Sequence, residues 1–366
     1  MVITKNYNLC NNCYNRLFSK HENLKHDNDY KVTKLIHTDN TKICYICKNI
    51  FRNLEYYIMK IFEITKCYEF STFSVGLIIK PSMVDRDDDI RSKFKLIGSY
   101  SIKYNLNNEI SKLFSRKTKL KTHKSPDLVI TLDFKQNTIE TRSKTIYIYG
   151  KYVKKSRNIQ QKQIVCMKCG GVGCIFCHYM GISEFNSIGG KIIKFLHDKF
   201  ISTTIKINYV GGEDKSSLVL GDGRPFFAKI INPKIRNTTL HEIIDNNVKI
   251  HNLRIIKYMP TNIFFKSKVK ITISTKKIIN RDDLNILNNI KSITITDADN
   301  KKNVKIIHWL DWKLLTDMTF SMVMIIDSGF PVKKFINDRS VIPNISDSIQ
   351  NTCKCINCDY YEILML

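Results

Sequence analysis

GGEDKSSLVLGDGRPF, residues 211–226, is the stretch on which the reading of this chain turns. A β-branched run, residues 202–210, leads into it. Glycines punctuate it, Glu213 and Asp214 stand side by side, and it leaves through Arg224-Pro225-Phe226. Taken alone, such a loop reads first as a turn with a capping carboxylate. Its surroundings carry the reading further.

Downstream, residues 268–274, 292–296, 304–309 and 319–326 alternate or run apolar, as strands do. Upstream, residues 191–200 have helical periodicity, and residues 127–134 and 145–149 read as strands. A basic, glutamine-rich segment, 151–163, looks like a linker or an RNA-facing arm. Residues 51–70 are helix-like, 70–79 strand-like, and the acidic stretch 83–90 is expected to be a loop. The pattern is α+β, with much antiparallel sheet in the second half. Its 366 residues suit two domains. These are expected at 1–160 and 161–366.

Basic residues number 59 against 33 acidic, a net charge of +26. An AT-rich genome would exchange Arg for Lys but would not create net charge. The excess suits a polyanionic partner, since cationic contacts release counterions from phosphates. No run approaches eighteen apolar residues, and MVITKNYNLC lacks the apolar core of a signal peptide. A monomer inside the cell, in nucleus or cytoplasm, is expected, without a membrane partner.

Twelve cysteines in such a chain point to metal rather than disulfides. Cys10, Cys13, Cys44 and Cys47 form two CxxC pairs, and Cys166, Cys169, Cys174 and Cys177 form a tighter cluster around three glycines. Each set can close a tetrahedral, structural zinc site with no open catalytic position. A small subdomain is expected between the first two pairs. Cys353, Cys355 and Cys358 are read as non-metal, and Cys67 as core. Tyr147, Tyr149 and Tyr152 suit either RNA stacking or the core; His308, Trp309 and Trp312 read as core.

The loop resembles the catalytic motif of archaeal and eukaryotic tRNA pseudouridine synthases of the Pus-ten family, G-R-E-D-x-D-x-R-x-L-G-x-G-R-P-F. Gly211, Glu213, Asp214, Leu220, Gly221, Gly223, Arg224, Pro225 and Phe226 match it. PDLVITLDF (126–134) and TIYIYGKYVKKSRNIQQ (145–161) resemble the end of that family's THUMP-containing RNA-binding domain. The 166–177 cluster resembles the junction in archaeal members, VKIIHW (304–309) resembles R-V-L-H-R, and GFPVKKF (329–335) resembles G-T-Y-I-K-E-F.

The resemblance implies a zinc-bearing THUMP-containing front half followed by a catalytic domain with a mainly antiparallel sheet. It implies tRNA as partner, a T-arm uridine as target (position 55, with 54 as the alternative), and no organic cofactor. Asp214 becomes the nucleophile or base on the ribose, and Lys333 the cation that keeps it ionised. Arg224, Val269, Pro331 and Val332 fall at substrate-binding positions. The chain departs from the pattern at Gly212, Ser216, Leu218 and Lys334. Val269 and Pro331 replace tyrosines, and Cys358-Asp359 stands where the family has Leu-Asp. Those losses leave a catalytically silent RNA-binding protein on the same fold as the alternative. A zinc-based nucleic-acid adaptor of another family is the third reading.

Overall fold

The computed structural model describes residues 7–18, 36–38, 42–202 and 204–366. The chain divides into two compact units, Met1–Lys144 and Thr145–Leu366. In the first unit β1 (Tyr7–Leu9) pairs in parallel with β2 (Ile36–Thr38), and α1 (Asn11–Phe18) follows β1. Then come α2 (Leu54–Thr65), β3 (Thr72–Ile78), α3 (Pro81–Lys93), α4 (Ile102–Thr118), β4 (Lys121–Thr122), β5 (Leu128–Asp133) and β6 (Thr138–Ser143). The four strands β4-β3-β5-β6 form one sheet, with β3 parallel to β4 and β5, and β6 antiparallel to β5.

Spacing explains the helices. In α4, Ile102, Leu106, Ile110 and Phe114 recur every fourth residue and all are buried. Its start is capped by Ser101, whose hydroxyl oxygen accepts from the Tyr104 N–H at 3.3 Å. Leu54, Ile58 and Ile61 of α2 face the same core as Phe73, Ile130 and Leu132 of the sheet. The acidic stretch 83–90 is helix, not loop, because three of its residues face inward. Met83, Asp87 and Ile90 are buried, and Pro81 opens the first turn. Asp87 is ion-paired with buried Arg16 and accepts the Ile102 N–H at 3.1 Å. Cys67, expected in the core, is exposed. Most of the segment expected as a small subdomain between the first cysteine pairs lies outside the described residues.

The second unit is built on one eleven-stranded sheet. Its elements are β7 (Ile146–Lys154), α5 (Ile188–Phe200), β8 (Thr204–Tyr209), β9 (Val219–Ile231), β10 (Ile243–Ile244), β11 (Val248–Ile256) and β12 (Phe265–Thr275). There follow β13 (Ser292–Thr296), β14 (Lys302–Thr316), β15 (Thr319–Asp327), β16 (Val341–Ile342) and β17 (Cys353–Met365). The order is β10-β11-β7-β9-β17-β12-β15-β14-β13-β16, with β8 also on β9. The sheet is mixed: its two halves meet in a parallel pairing, and the other strand pairings are antiparallel. In the parallel pairing β9 and β17 touch through Val219 and Tyr360.

Each half has its own core. On one side α5 packs Ile188, Ile192, Leu196 and Phe200 with Ile148, Phe226 and Ile250. On the other, Ile271, Phe320, Met322, Met324 and Phe335 close around β12 and β15. The units divide sixteen residues before the expected boundary at 160, because β7 pairs with β9 and β11 and so belongs to this sheet. Residues 151–154 are therefore strand, with Tyr152 and Lys154 fully buried. Trp309 and His308 are both exposed, with His308 Nε2 2.7 Å from an Asp327 oxygen, so neither is core. Among the described residues, no helix is long and apolar enough to cross a membrane.

Candidate active site

The loop 211–218 connects β8 to β9 at the seam between the two half-sheets. Gly211 has φ +79°, and a Cβ there would lie 2.6 Å from the Arg224 guanidinium, so only glycine lets the loop close over that side chain. Glu213 and Asp214 then diverge.

The Glu213 side chain is fully buried. It accepts hydrogen bonds from the Tyr152 hydroxyl (2.7 and 2.8 Å) and from Gln161 Nε2 (3.0 Å). Arg224 Nε lies 2.7 Å from its Oε2, a charge contact without the alignment of a hydrogen bond. Lys154 Nζ, also fully buried, stands 4.0 Å away. The lysine donates to the main-chain carbonyls of Ile159 (3.0 Å) and Asp214 (2.9 Å). Burial pulls its proton affinity below the ordinary lysine value, and the neighbouring Glu213 opposes that pull.

Asp214 points the other way, its side chain 43% exposed. It is ion-paired with Lys333, which stands just before the one-turn helix Lys334–Asn337. Its Oδ1 accepts from the Ser216 N–H (2.9 Å) and from the hydroxyls of Ser216 (2.6 Å) and Ser217 (3.2 Å). Burial pushes its carboxyl up, but Lys333 and Ser216 outweigh that and draw it down to about 2. The hydrogen bond to Asp214 raises Lys333 in return. The pair is a carboxylate and an ammonium throughout the neutral range.

Both residues line a cleft of 630 Å³, shared with Gln160, Lys162, Pro331, Val332, Cys358 and Tyr360. The four expected substrate-side residues take different places. Pro331 and Val332 are on the wall. Arg224 is 1% exposed and lies beneath it, its Nη1 donating to the Val210 carbonyl at 2.8 Å. Val269 is fully buried in β12 between β15 and β17, and is not on the cleft wall. Its side chain points into the core.

Sequence reasoning missed the partners of Glu213 and a clamp made by Asp359. Arg157 donates from two nitrogens to the two Asp359 oxygens, each at 2.8 Å, and Asp359 also accepts the Leu218 N–H at 2.9 Å. Scarcity was the available signal: Arg157 and Arg224 are two of only 12 arginines among 59 basic residues.

Each four-cysteine group draws its sulfurs together within 4.8 Å, so each could hold a metal ion. All of Cys10, Cys13, Cys44 and Cys47 are buried, and Cys10 and Cys47 sulfurs are 3.6 Å apart. Its hydrogen bond with Cys13 draws the Cys10 thiol down to about 7. In the other group the spacings Cys166–Cys174, Cys169–Cys177 and Cys174–Cys177 are 4.0, 3.8 and 3.7 Å. A tetrahedron with metal–sulfur bonds of about 2.3 Å has edges of about 3.8 Å, so the donor set is compatible with zinc. The N–H groups of Cys174 (3.1 Å) and Gly181 (3.3 Å) point at Cys177 sulfur, support that a thiolate ligand needs. Against burial, they draw that thiol down to about 6.

A family model described as "Pus10, C-terminal" matches residues 147–363, which include every residue of the cleft. Another, "Pus10 THUMP domain, archaeal", matches residues 57–133. A protein of Nitrosopumilus maritimus named tRNA pseudouridine synthase Pus10 is 39% identical over 366 residues, spanning 99% of this chain and 96% of the relative. Its namesake from Cenarchaeum symbiosum is 31% identical over 363 residues, spanning 98% and 90%. A third, from Korarchaeum cryptofilum, is 23% identical and spans 88% of this chain and 93% of its own. Matched in both of its units, and along nearly its whole length by relatives of one name, the chain belongs to the Pus10 family.

Proposed function

We propose that this chain isomerises uridine to pseudouridine in the T-arm of tRNA, at position 55, with Asp214 as the essential carboxylate. Position 54 is the second candidate. The reading is carried by one observation: an ionised, half-exposed Asp214, paired with Lys333, on the wall of a cleft in the family's catalytic domain. The relatives' names supply the reaction. The N1–C1′ bond of the nucleoside breaks, the uracil turns, and C5 bonds to C1′. The proton that leaves C5 is balanced by the one gained at N1, so no redox partner is needed.

Asp214 acts on the ribose, as nucleophile at C1′ or as base at C2′. Both roles need the charged form, which Lys333 maintains. The target must leave its stack, at a cost of a few kcal/mol. A chain of net charge +26 offsets that through phosphate contacts. Cys10, Cys13, Cys44 and Cys47, and separately Cys166, Cys169, Cys174 and Cys177, would each hold a structural zinc, which contributes folding free energy and no chemistry. The chain is taken to act as a monomer.

Purified protein is to be incubated with unmodified tRNA and the product mapped for pseudouridine. Wild type should modify one T-arm uridine. Asp214→Asn should bind tRNA and form none, a loss of at least about 1,000-fold. Asp222→Asn, in strand β9 just after that loop and paired with Lys151, should stay within about threefold of wild type. Binding without turnover by wild type would instead establish the silent RNA-binding protein. Elemental analysis should find about two zinc ions per chain, and Cys44→Ser should lower both zinc content and melting temperature.

A further inference from the structure

We propose that Tyr360 is the substrate-contacting residue that holds the target base in the cleft, through its ring and its hydroxyl. The proposal rests on the cleft being the site of pseudouridine formation. Among the described residues that line the cleft, Tyr360 supplies the single aromatic ring. The remaining wall is acid, amide, lysine, serine, proline, valine, cysteine and glycine. An extruded base must be gripped on its flat faces and on its polar edge, and aromatic side chains are what proteins use for the first task.

The ring is held in place before any base arrives. The Tyr360 N–H donates to the Leu218 carbonyl at 3.0 Å, tying the residue to the exit of the Asp214 loop. The Arg224 guanidinium carbon lies 4.4 Å from the ring centroid. That arginine is itself fixed by Glu213 and by the Val210 carbonyl, so the cation beneath the ring does not move with it. Fully buried Val269 stands opposite Tyr360 in the ladder to β12 and closes that side.

The hydroxyl, by contrast, makes no hydrogen bond among the described residues. A phenol at a cleft wall with a pinned ring and an open hydroxyl is a group waiting for a polar edge. Burial raises its proton affinity, so the hydroxyl is neutral and can donate to a base carbonyl. Asp214 on the neighbouring loop reaches the ribose while Tyr360 takes the base. This division of labour keeps the detached uracil near C1′ while it turns.

Full-length protein is to be cross-linked by light to T-arm tRNA carrying 4-thiouridine at the target position, and the adduct mapped by mass spectrometry. In parallel, single-turnover rates and tRNA affinities are to be measured for Tyr360→Leu and Tyr360→Phe. The adduct should map to Tyr360. At saturating tRNA, Tyr360→Leu should be slowed about 10- to 100-fold while tRNA affinity stays within about threefold. Tyr360→Phe, which keeps the ring, should be slowed about fivefold. Turnover of Tyr360→Leu within twofold of wild type, or adducts that map wholly to other residues, would overturn the proposal. If Tyr360→Leu does not fold, the Phe variant and the wild-type adduct decide. Absence of pseudouridine in wild type defeats the functional reading instead, and an adduct at Tyr360 would still place the base against this ring.

Discussion

Glu213 and Asp214 are consecutive carboxylates with opposite surroundings. Glu213 is sealed among Tyr152, Lys154, Gln161 and Arg224, residues that lie up to 61 positions away. Asp214 keeps 43% of its side chain open to the cleft and has one cation, Lys333, that is itself half exposed. A sealed charge is difficult to use, because every approach must first break its shell. An open charge is easy to use but easily protonated, unless a neighbour holds it down. The loop joins the two conditions: Lys154 ties the nest to the Asp214 main chain, so the rigid half of the pair positions the reactive half.

The largest effect should come from Glu213→Gln. It leaves Arg224 and Lys154 buried with no counter-charge, and chemical denaturation should show a loss of about 3–5 kcal/mol. A loss under about 1 kcal/mol would mean the nest is not closed to water. Next comes Lys333→Met. The Asp214 carboxyl, drawn below its ordinary value of 3.8 to about 2, should then titrate higher. With the folded value depressed, the stabilisation is present above 3.8 and is lost as pH falls toward 2. In wild type the single-turnover rate should therefore show no acid limb from Asp214 above pH 5. In Lys333→Met such a limb should move upward and become visible. An unchanged profile would assign the depression to Ser216 instead. Smallest is the stability change in Asp214→Asn, within about 1 kcal/mol because the ion pair is half solvated. Melting curves superimposed on wild type would sharpen the contrast with Glu213→Gln.

The sequence made local patterns legible and distant pairings illegible. The helices at 54–65 and 188–200 announce themselves by apolar spacing, and the strands 268–274 and 319–326 by alternation. The acidic segment at 83–90 hid its helix, since the charge that should have faced water, Asp87, faces Arg16 71 positions earlier. The basic run after 150 looked solvated for the same reason: Lys154 is buried by acceptors at 159 and 214 that no local window contains. At the candidate site, resemblance located Asp214 and Lys333, 119 positions apart, and the structure brings them together. Motif position could not show which way a strand residue faces, so Val269 was assigned to the substrate while its neighbour across the ladder, Tyr360, went unmarked.

The parallel seam gives the Asp214–Lys333 pair a mechanical meaning. Val219 and Tyr360 form the one registered pairing between β9 and β17. Asp214 is carried by the half-sheet on the β9 side, and Lys333 follows β15 on the other side. The ion pair is thus a clasp across the seam as well as an electrostatic partner. Coulomb energy varies with separation, so widening the seam would loosen the clasp and raise the carboxylate's proton affinity together. Geometry between the two half-sheets is in this way written directly into the proton affinity of one oxygen pair.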